Sequence, residues 1–463
     1  MRHYPMEDKT AMSIPSKRAF GFNVIGYVSA NLGLGVNARN LTRLLLDKGL
    51  PVAIYDLDPG LGRSKHDLAY EQYFVKTPDE LPYCISVFII GHDMTDHIIM
   101  RMRQIFLRED CINVYCPMWE LTVTPEIKVK AAQMYDAVIA ESDFIRSTCE
   151  NHLSTMRIIS AVPPLYLPAE IVPSRTRFGL PEDKVIFLSG FDPYSDPARK
   201  NPFAVIGAFR QAFGDDPKAC LVIYLNCADP KESKCPGFAL KSYKEMEELC
   251  RDDSRICLVS GTTSYADRLN LYASCDIFVS LHRSEGLGLV PMEFMRLGKP
   301  VIATAWSGNM TYMKDTNSCL VRYKLIQVKS EHPTYCREAI GDNAVWADPD
   351  VEEAAAWMRK LVEDPDLRAA IGRQAAIDMA SFQKKAEEGS FIDEIRAIWE
   401  HGALLPGRNN CRTADFKKFQ NYYLWCRLKW IGIRLWHSVF LPVALYPRNC
   451  FRKLYRAAKE LGA

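Results

Sequence analysis

Two runs of alternating apolar strands and amphipathic helices, separated by a proline-rich connector, constrain the fold of this chain most. In the first run, the strand-like segments are Phe22–Val28, Val52–Tyr55, Cys84–Ile90, Ile112–Tyr115 and Ala137–Ala140. In the second run, they are Val185–Ser189, Cys220–Leu225, Ile256–Ser260, Ile277–Leu281 and Val301–Ala303. Strands that alternate with helices form parallel, doubly wound sheets. The sequence therefore predicts the α/β class, with two such sheets.

The connector lies between residues 161 and 174, and its prolines and lack of periodicity are typical of a linker. A chain of 463 residues is too long for one ordinary core and fits two domains of roughly 150–200 residues each. We expect a first Rossmann-like domain over residues 20–170 and a second over 175–400. A helical, basic and aromatic C-terminal extension would follow over 408–463.

This extension carries a charge that the rest of the chain lacks. Residues 408–463 hold 12 Lys/Arg against 2 Asp/Glu, so the net charge of +2 leaves about −8 on residues 1–407. An acidic body argues against a nucleic-acid partner. Eleven aromatic residues lie among the basic residues after position 412, a pattern typical of helices at an anionic membrane surface. Packing of these aromatic residues on the first domain is the alternative.

The N-terminal segment, the lengths of the apolar runs and the spacing of the cysteines predict a cytoplasmic protein without a metal. The first twenty residues mix charges and prolines, and no apolar run reaches the ~18 residues that a spanning helix needs. We expect a cytoplasmic location, with the inner face of the cell membrane as the surface that the extension would contact. The closest cysteines, Cys220, Cys227 and Cys235, match no zinc pattern, and no convincing Asp-x-Asp loop is present. We therefore expect neither a metal nor a cofactor.

A glycine loop follows the first strand. Gly33 and Gly35 stand in the sequence GLGVNA, which fits the dinucleotide fingerprint G-x-G-x-x-G/A. Asp56 and Asp58 follow about twenty residues later, where an NAD enzyme keeps its ribose-binding acid. However, residues 29–32 make the loop longer than the fingerprint requires. The loop therefore indicates either an NAD enzyme or one half of a phosphate site that two domains share.

The most informative segment is residues 280–304, SLHRSEGLGLVPMEFMRLGKPVIAT. A strand ends near Leu281, a glycine-bearing loop follows, and a helix begins near Leu289. Backbone amides at such a helix N-terminus favour an anion, above all a phosphate. Glu285 falls in the loop and Glu293 in the second turn of the helix. Glu293 could accept hydrogen bonds from a ribose diol, while Glu285 reaches toward the other end of the ligand.

This segment resembles the E-x7-E signature of retaining glycosyltransferases of group 1 (family 4), which have the GT-B fold. The resemblance rests on both glutamates, on the intervening Gly286, Leu287 and Gly288, and on the trailing GKPVIA. It implies two Rossmann-like domains that face a central cleft, with a nucleotide-sugar donor on the second domain. It also implies that Glu293 binds the ribose and that Glu285, with nearby backbone amides, contacts the donor sugar.

Residues 191–202, FDPYSDPARKNP, resemble the Arg/Lys site with which this family binds the donor diphosphate. Lys200 stands before an asparagine, as the family pattern requires, and Arg199 is adjacent. The arginine that the family usually carries after the strand glycine is absent, because Phe191 follows Gly190. Arg199 is therefore the candidate for the second positive charge, and two cations together would offset the charge on a leaving diphosphate.

Two further candidates follow strands of the first domain. Residues 115–121, YCPMWEL, resemble the Y-x-x-x-W-E-L segment of members that build bacterial surface polysaccharides. Many relatives carry a histidine after this strand that touches the donor sugar, and here Glu120 is the nearest polar residue. His92 follows the preceding strand at the cleft-facing edge of the sheet. We expect Glu285, Glu120 and His92 to be catalytic, with a structural role as the alternative for Glu120 and His92.

The resemblance implies a glycosyltransferase that moves a sugar from a nucleotide-sugar donor to a saccharide or lipid-linked glycan acceptor in polysaccharide biosynthesis. The donor site would consist of Gly33, Gly35, Arg199, Lys200, Gly286, Leu287, Gly288 and Glu293. One alternative is an NAD-dependent oxidoreductase, which would bind its ligand at the first domain alone. The other is a catalytically inactive GT-B binding protein whose extension is its working part.

Overall fold

The computed structural model describes residues 18–60, 65–108, 110–226, 237–261, 264–402 and 408–435. Two six-stranded parallel sheets organise these residues, one in each half of the chain. Apolar clusters cover both faces of each sheet, as parallel sheets require. The predicted α/β class with two Rossmann-like domains is confirmed.

The first sheet is built from mostly apolar strands. They are β1 Ala19–Gly26, β2 Val52–Asp56, β3 Tyr83–Gly91, β4 Ile112–Met118, β5 Ala137–Ala140 and β6 Arg157–Ser160. The central strands β3 and β4 are almost entirely buried. Their order in the sheet is β2-β1-β3-β4-β5-β6. The helices of this half are α1 Gly33–Asp47, α2 Thr95–Arg101, α3 Arg103–Phe106, α4 Glu126–Ala132 and α5 Asp143–His152. The strand order reverses between β1 and β3, and ligands bind at such reversals beyond the carboxyl ends of the strands.

The second sheet has the strand order of the dinucleotide-binding fold. Its strands are β7 Val185–Phe191, β8 Ala219–Leu225, β9 Ile256–Ser260, β10 Ile277–Ser280, β11 Val301–Thr304 and β12 Cys319–Val321. Their order is β12-β11-β10-β7-β8-β9, so the reversal lies between β7 and β10. An antiparallel hairpin, β13 Tyr323–Gln327 and β14 Val345–Pro349, follows the sheet.

The helices of the second half pack on both faces of its sheet. They are α6 Pro197–Lys200, α7 Pro202–Phe213, α8 Gly237–Arg251, α9 Tyr265–Ser274, α10 Leu289–Arg296, α11 Arg337–Ile340, α12 Val351–Glu363 and α13 Pro365–Glu388. The side chain of Asp364 caps α13 by accepting a hydrogen bond from the backbone N–H of Leu367, and Gly389, with a φ of +67°, ends it.

After α13 the chain returns to the first domain. The helix α14, Ser390–Gly402, places Phe391, Ile395 and Trp399 in the apolar cluster that covers β1 and β3. The expected second domain, residues 175–400, includes most of this helix, but the structure packs it on the first domain. Local periodicity predicts that a helix forms, but it does not show which of two sheets will cover the helix's apolar face.

The described part of the basic extension is a single helix, α15, Arg408–Leu435. Phe416, Phe419 and Tyr423 are buried against the first domain, at the spacing that puts them on one helical face. Arg412 anchors the helix through an ion pair with Asp136. Packing on the first domain is therefore the arrangement found here, while residues 436–463 of the predicted tail lie outside the described residues.

None of the helices that the structure describes combines the length and the apolar character that a membrane crossing requires.

Candidate active site

A cleft of about 540 Å³ lies between the carboxyl ends of the two sheets. Segments that follow β1, β3 and β4 line one wall, and segments that follow β7, β8 and β10 line the other. Nine of the predicted site residues line it: Gly33, Glu120, Arg199, Lys200, Glu285, Gly286, Leu287, Gly288 and Glu293. Residues that are far apart in sequence therefore meet at one place, and His92 and Gly35 are the two that do not line it.

His92 is turned away from the cleft. Its ring lies 4.7 Å from the ring of Trp119, and its Nδ1 lies 2.7 Å from the hydroxyl of Tyr115. Burial lowers the pKa of His92 to about 3, so the ring is neutral at physiological pH. A short 3-10 helix after β3 turns His92 inward and leaves its neighbour Asp93 at the cleft. The structure thus corrects the expectation for His92 and gives it a buried structural position.

Gly35 lies beneath the loop rather than at its surface. A Cβ atom at Gly35 would lie 2.3 Å from the carbonyl oxygen of Ala30 and 2.7 Å from that of Tyr27. A Cβ atom at Gly33 would meet only Leu289, at 3.7 Å. Gly35 therefore allows α1 to begin tightly against the preceding turn, which corrects its expected role in donor binding, whereas Gly33 stands at the cleft.

The acids that an NAD enzyme would need are engaged elsewhere. The carboxylate of Asp56 accepts hydrogen bonds from the backbone N–H of Ser29, at 2.9 Å, and from its hydroxyl, at 2.5 Å. Asp58 accepts one from the backbone N–H of Gly60, at 2.8 Å, within its own turn. Since Asp56 holds the glycine loop in place, it is not positioned to bind a ribose diol. This geometry disfavours the dinucleotide interpretation.

Glu285 lies between two cations. Its carboxylate forms an ion pair with Lys200, and the Nη1 atom of Arg199 lies 3.3 Å from its Oε2. Burial alone would raise the pKa of Glu285, but the charges of Lys200 and Arg199 outweigh burial and lower the pKa to about 2. The side chain is therefore a carboxylate at any physiological pH.

Arg199 joins the two domains. Its Nη1 donates a hydrogen bond to the carbonyl oxygen of Ser284 at 2.9 Å, and its Nη2 lies 3.3 Å from Oε1 of Glu120 on the first domain. Burial would lower the pKa of Arg199, but nearby acids, Glu120 foremost, raise it. The Arg199 side chain is 5% exposed and that of Lys200 is 21% exposed, so Lys200 is the more accessible cation.

The loop that carries Glu285 is held from both domains. The Ser142 hydroxyl of the first domain donates to the carbonyl oxygen of Gly286 at 2.6 Å. On the second domain, the backbone N–H of Glu285 donates to the hydroxyl of Ser307 at 2.8 Å. Ser307 has a φ of +77°, a backbone conformation that residues other than glycine rarely adopt. Such conformations cluster at functional sites, where the surrounding contacts hold them in place. The position of Glu285 is therefore fixed by its surroundings.

Glu120 is bound to the second domain by its backbone and its side chain. Its carbonyl oxygen accepts a hydrogen bond from the Ser284 hydroxyl. Its Oε2 accepts one from the hydroxyl of Tyr335 at 2.6 Å. Tyr335 was not found from the sequence, because it follows Glu120 by 215 positions and carries no motif. Glu120 thus lines the cleft as a group that connects the domains.

Glu293 is buried on α10 at the cleft. Its Oε2 has no hydrogen-bond partner among the described residues. Burial raises the pKa of Glu293, and nearby Arg268 and Tyr265 only partly offset this. Arg268 was not predicted from the sequence, although an arginine among the apolar residues of α9 indicates a buried charge. A buried carboxylate oxygen without a partner is what a ligand diol would satisfy.

The N-terminus of α10 faces the cleft. Gly288 has a φ of +85°, and a Cβ atom there would lie 2.8 Å from the hydroxyl of Tyr312. The residues of the first helical turn, Leu289–Pro291, line the cleft. Only glycine fits at this start, and the helix presents its positive end to any anion that binds.

Within the part of the chain that the structure describes, no three His, Cys, Asp or Glu side chains are grouped so as to hold a metal ion. Cys227 and Cys235 lie outside the described residues.

Residues 197–378, which include Lys200, Glu285 and Glu293, match the family model of group 1 glycosyl transferases. The second domain is that of a group 1 glycosyl transferase. The chain is a glycosyltransferase, and the predicted GT-B fold is confirmed by the two sheets and by related structures. No curated protein sequence matches it.

Three solved structures illustrate the similarity of this glycosyltransferase to others. Sucrose-phosphate synthase from Thermosynechococcus elongatus has a TM-score of 0.60 at 17% identity, over 82% of this chain and 100% of that one. Anabaena Alr3699/HepE, in complex with UDP and glucose, has 0.53 at 13%, over 82% and 100%. WaaG, a glycosyltransferase involved in lipopolysaccharide biosynthesis, has 0.52 at 17%, over 79% and 98%. At these identities the similarity shows the fold.

Proposed function

We propose that this glycosyltransferase is a retaining enzyme of family 4 that moves a sugar from a nucleotide-sugar donor to a saccharide or lipid-linked glycan acceptor. The observation that carries the proposal is the meeting of Lys200, Glu285 and Glu293 in one cleft between two Rossmann-like domains. These residues belong to two separate motifs. Their convergence supports a single donor site.

The donor would lie along the second-domain wall. Its ribose diol would donate hydrogen bonds to Glu293, whose Oε2 is otherwise without a partner among the described residues. Its diphosphate would bind between Lys200 and the positive end of α10. Its sugar would then reach the loop of Glu285. In this orientation, each group of the donor would face a protein group of complementary charge or hydrogen-bonding capacity.

The chemistry needs no second free carboxylate. In a front-face transfer, the bond between the anomeric carbon and the diphosphate oxygen breaks, and a bond from the acceptor oxygen forms on the same face. The proton of the acceptor hydroxyl passes to the leaving phosphate oxygen. Negative charge would develop on the diphosphate, and Lys200 and Arg199, which both line the cleft, are the cations that would stabilise it.

The first nucleotides to test follow from the related structures. HepE was captured with UDP and glucose, so we propose UDP-glucose as the first donor, with GDP-mannose and NAD for comparison. WaaG acts in lipopolysaccharide biosynthesis, which supports a role for this chain in polysaccharide biosynthesis. NAD distinguishes the oxidoreductase alternative, because only a true ligand should raise the melting temperature strongly.

The experiment compares donor binding and donor hydrolysis in two variants and two controls. Lys200→Ala and Glu293→Ala should each weaken nucleotide-sugar binding by about 10-fold or more, since a lost hydrogen bond to a charged group costs about 1.5–3 kcal/mol. Lys385→Ala and Glu388→Ala, on the exposed end of α13, are the matched controls. Unchanged donor binding and hydrolysis in both site variants would refute the proposal. Donor binding without any transfer or hydrolysis would favour the inactive binding protein.

We also propose that α15 contacts an anionic membrane surface at the inner face of the cell membrane. Leu424, Trp425 and Leu428 are exposed on this helix, and the basic residues Arg427 and Lys429 lie beside them. Such a face suits the headgroup region of anionic lipids. The protein should co-sediment with vesicles that contain phosphatidylglycerol, and Leu428→Asp should reduce the fraction that co-sediments. Equal binding to neutral vesicles, or none to anionic ones, would contradict the idea.

A further inference from the structure

A polar network joins the glycine loop of the first domain to the second domain. The side-chain amide of Asn31 donates a hydrogen bond to Oδ1 of Asn226 at 3.2 Å, and the Asn226 amide donates one to the carbonyl oxygen of Asn31 at 3.0 Å. Nη1 of Arg268 donates to Oδ1 of Asn31 at 3.1 Å. Asn31 belongs to the glycine loop, whereas Asn226 follows β8 and Arg268 lies on α9. These three hydrogen bonds therefore connect the two domains beside the cleft.

The glycine loop is also fixed to its own domain. Nη1 of Arg39, on α1, donates hydrogen bonds to the carbonyl oxygens of Val28 at 2.6 Å and Ala30 at 3.1 Å. Arg39 in turn forms an ion pair with Asp67, with 3.0 Å between Nε and Oδ2. Because the first domain holds the loop in this way, a contact made by Asn31 is a contact of the domain as a whole.

Arg268 also stands beside Glu293. Both side chains line the cleft, and Arg268 is nevertheless buried, with its guanidinium 5.1 Å from the ring centre of Tyr265. The other ionisable groups that face Glu293 are Tyr265 and Tyr272 of α9 and Tyr312, which follows β11. Burial raises the pKa of each tyrosine well above its ordinary value, so all three are neutral. Among the described residues, Arg268 is therefore the cation that faces Glu293.

The charge of Arg268 favours the ionised form of Glu293. Burial raises the pKa of Glu293, and the positive charge of Arg268 acts against this rise. A carboxylate can accept hydrogen bonds from both hydroxyls of a ribose diol, whereas a protonated carboxyl group carries a proton that it must itself donate. Loss of the Arg268 charge would raise the pKa of Glu293 further, so the carboxylate form would be lost at a higher pH.

We propose that Arg268 is a positioning residue that joins the ribose site to the first domain. Its charge holds Glu293 in the form that accepts the ribose hydroxyls, and its hydrogen bond to Asn31 docks the glycine loop beside that site. Nucleotide binding and docking of the loop then stabilise each other, since coupling between two sites is reciprocal. This inference rests on the proposed function, because it takes Glu293 as the carboxylate that binds the ribose.

The first test measures, as a function of pH, how strongly the protein prefers UDP to 2′-deoxy-UDP and GDP to 2′-deoxy-GDP in calorimetry. Ionisation of the phosphates cancels in each comparison. The wild type should prefer the ribonucleotide by about 10-fold or more, because the deoxy form lacks a hydroxyl that Glu293 would bind. In Arg268→Gln this preference should be lost at a higher pH than in the wild type. Arg268→Lys keeps the charge and should restore the wild-type pH profile.

Arg373→Gln, an exposed change on α13, is the control for this test and should leave the pH profile unchanged. A profile in Arg268→Gln that matches the wild type would overturn the proposal. Equal weakening of the ribonucleotide and the deoxynucleotide at every pH would also overturn it, because Arg268 would then bind the diphosphate directly.

The second test is a double-mutant cycle between the domains. Asn31 does not line the cleft, yet Asn31→Ala should weaken binding of the preferred nucleoside diphosphate by about 3-fold or more. Combined with Arg268→Lys, it should cost less than the product of the two single losses, because both changes remove the same hydrogen bond. Asn151→Ala, an exposed change on α5, is the control. Losses that multiply, or no loss in Asn31→Ala, would overturn the proposal, and this cycle decides it even if Arg268→Gln does not fold.

Nucleotide binding to the wild type separates the proposed function from the role of Arg268. If neither UDP nor GDP binds, or if the deoxynucleotides bind equally well, the ribose site of the proposed function fails and the inference fails with it. If the wild type prefers the ribonucleotide and the Arg268 and Asn31 variants behave like it, the proposed function stands and only the role of Arg268 is refuted.

Discussion

Glu285→Gln removes the charge at the centre of the site and leaves the shape of the side chain almost unchanged. Glu285 is buried between Lys200 and Arg199, and its pKa falls from an ordinary value of 4.5 to about 2. A lowered pKa means that the ionised form of Glu285 is more stable in the folded domain than in the unfolded chain. The shift corresponds to about 3 kcal/mol of stability at pH 7.

The sign of the pH dependence follows from the same shift. The stabilisation is complete above the ordinary pKa of 4.5 and is lost as the pH falls through about 2. By linkage, the free energy of unfolding of the wild-type chain should exceed that of Glu285→Gln by about 3 kcal/mol at pH 7 and by about 2 kcal/mol at pH 3.5. The difference between the two proteins should therefore shrink as the pH is lowered.

Native-state hydrogen exchange of the amides in β7, Val185–Phe191, measures this quantity for the second domain alone. This choice is needed because a chain of two domains need not unfold in one step. Glu388→Gln, an exposed change on α13, is the control and should stay within about 0.5 kcal/mol of the wild type. A loss below about 1 kcal/mol at pH 7, or a difference that does not change with pH, would refute the electrostatic reasoning.

Two further predictions concern the first domain and its C-terminal helix. Gly35→Ala should destabilise the protein by about 2 kcal/mol or more, because the new Cβ atom would lie 2.3 Å from the carbonyl oxygen of Ala30. Gly33→Ala, whose Cβ atom would make only an ordinary contact, should change stability by less than about 0.5 kcal/mol, and urea unfolding of both variants checks the contrast. Arg412→Ala should cost about 3 kcal/mol by removing the cation that pairs with the largely buried carboxylate of Asp136, and should make α15 more sensitive to proteolysis. Equal stability of the two glycine variants, or unchanged proteolysis of α15, would contradict these expectations.

The sequence predicted the parallel sheets well because their strands carry a strong local signal. Ala137–Ala140 and Ile256–Ser260 form as predicted, and most other strands differ by only a few residues at their ends. The strands β6 and β12 were not predicted, since each has only three or four residues and lies at the edge of its sheet, where it pairs with one neighbouring strand. A short edge strand is defined by its neighbour rather than by its own composition.

The candidate site divides in the same way between local and distant contacts. Glu285 and Glu293 lie within one strand-loop-helix unit, so a local pattern was enough to predict that they would share a cleft. The contact of Glu120 with Tyr335 joins residues 215 positions apart, and no local pattern encodes it. The inward turn of His92 depends on a 3-10 helix that periodicity did not predict. The catalytic and donor-binding roles of these residues remain predictions.

Charged side chains at the cleft also connect the two domains. The second domain contributes Lys200 and the N-terminus of α10, which the proposed function assigns to the donor diphosphate. Arg199 stands where the two meet, because it contacts Glu120 of one domain and Glu285 of the other. A change at Glu120 should therefore weaken the contact between the domains, even though its carboxylate need not touch the donor. Because Arg199 also pairs with Glu285, the Glu120–Arg199 pair links the domain contact to the electrostatics of the whole site.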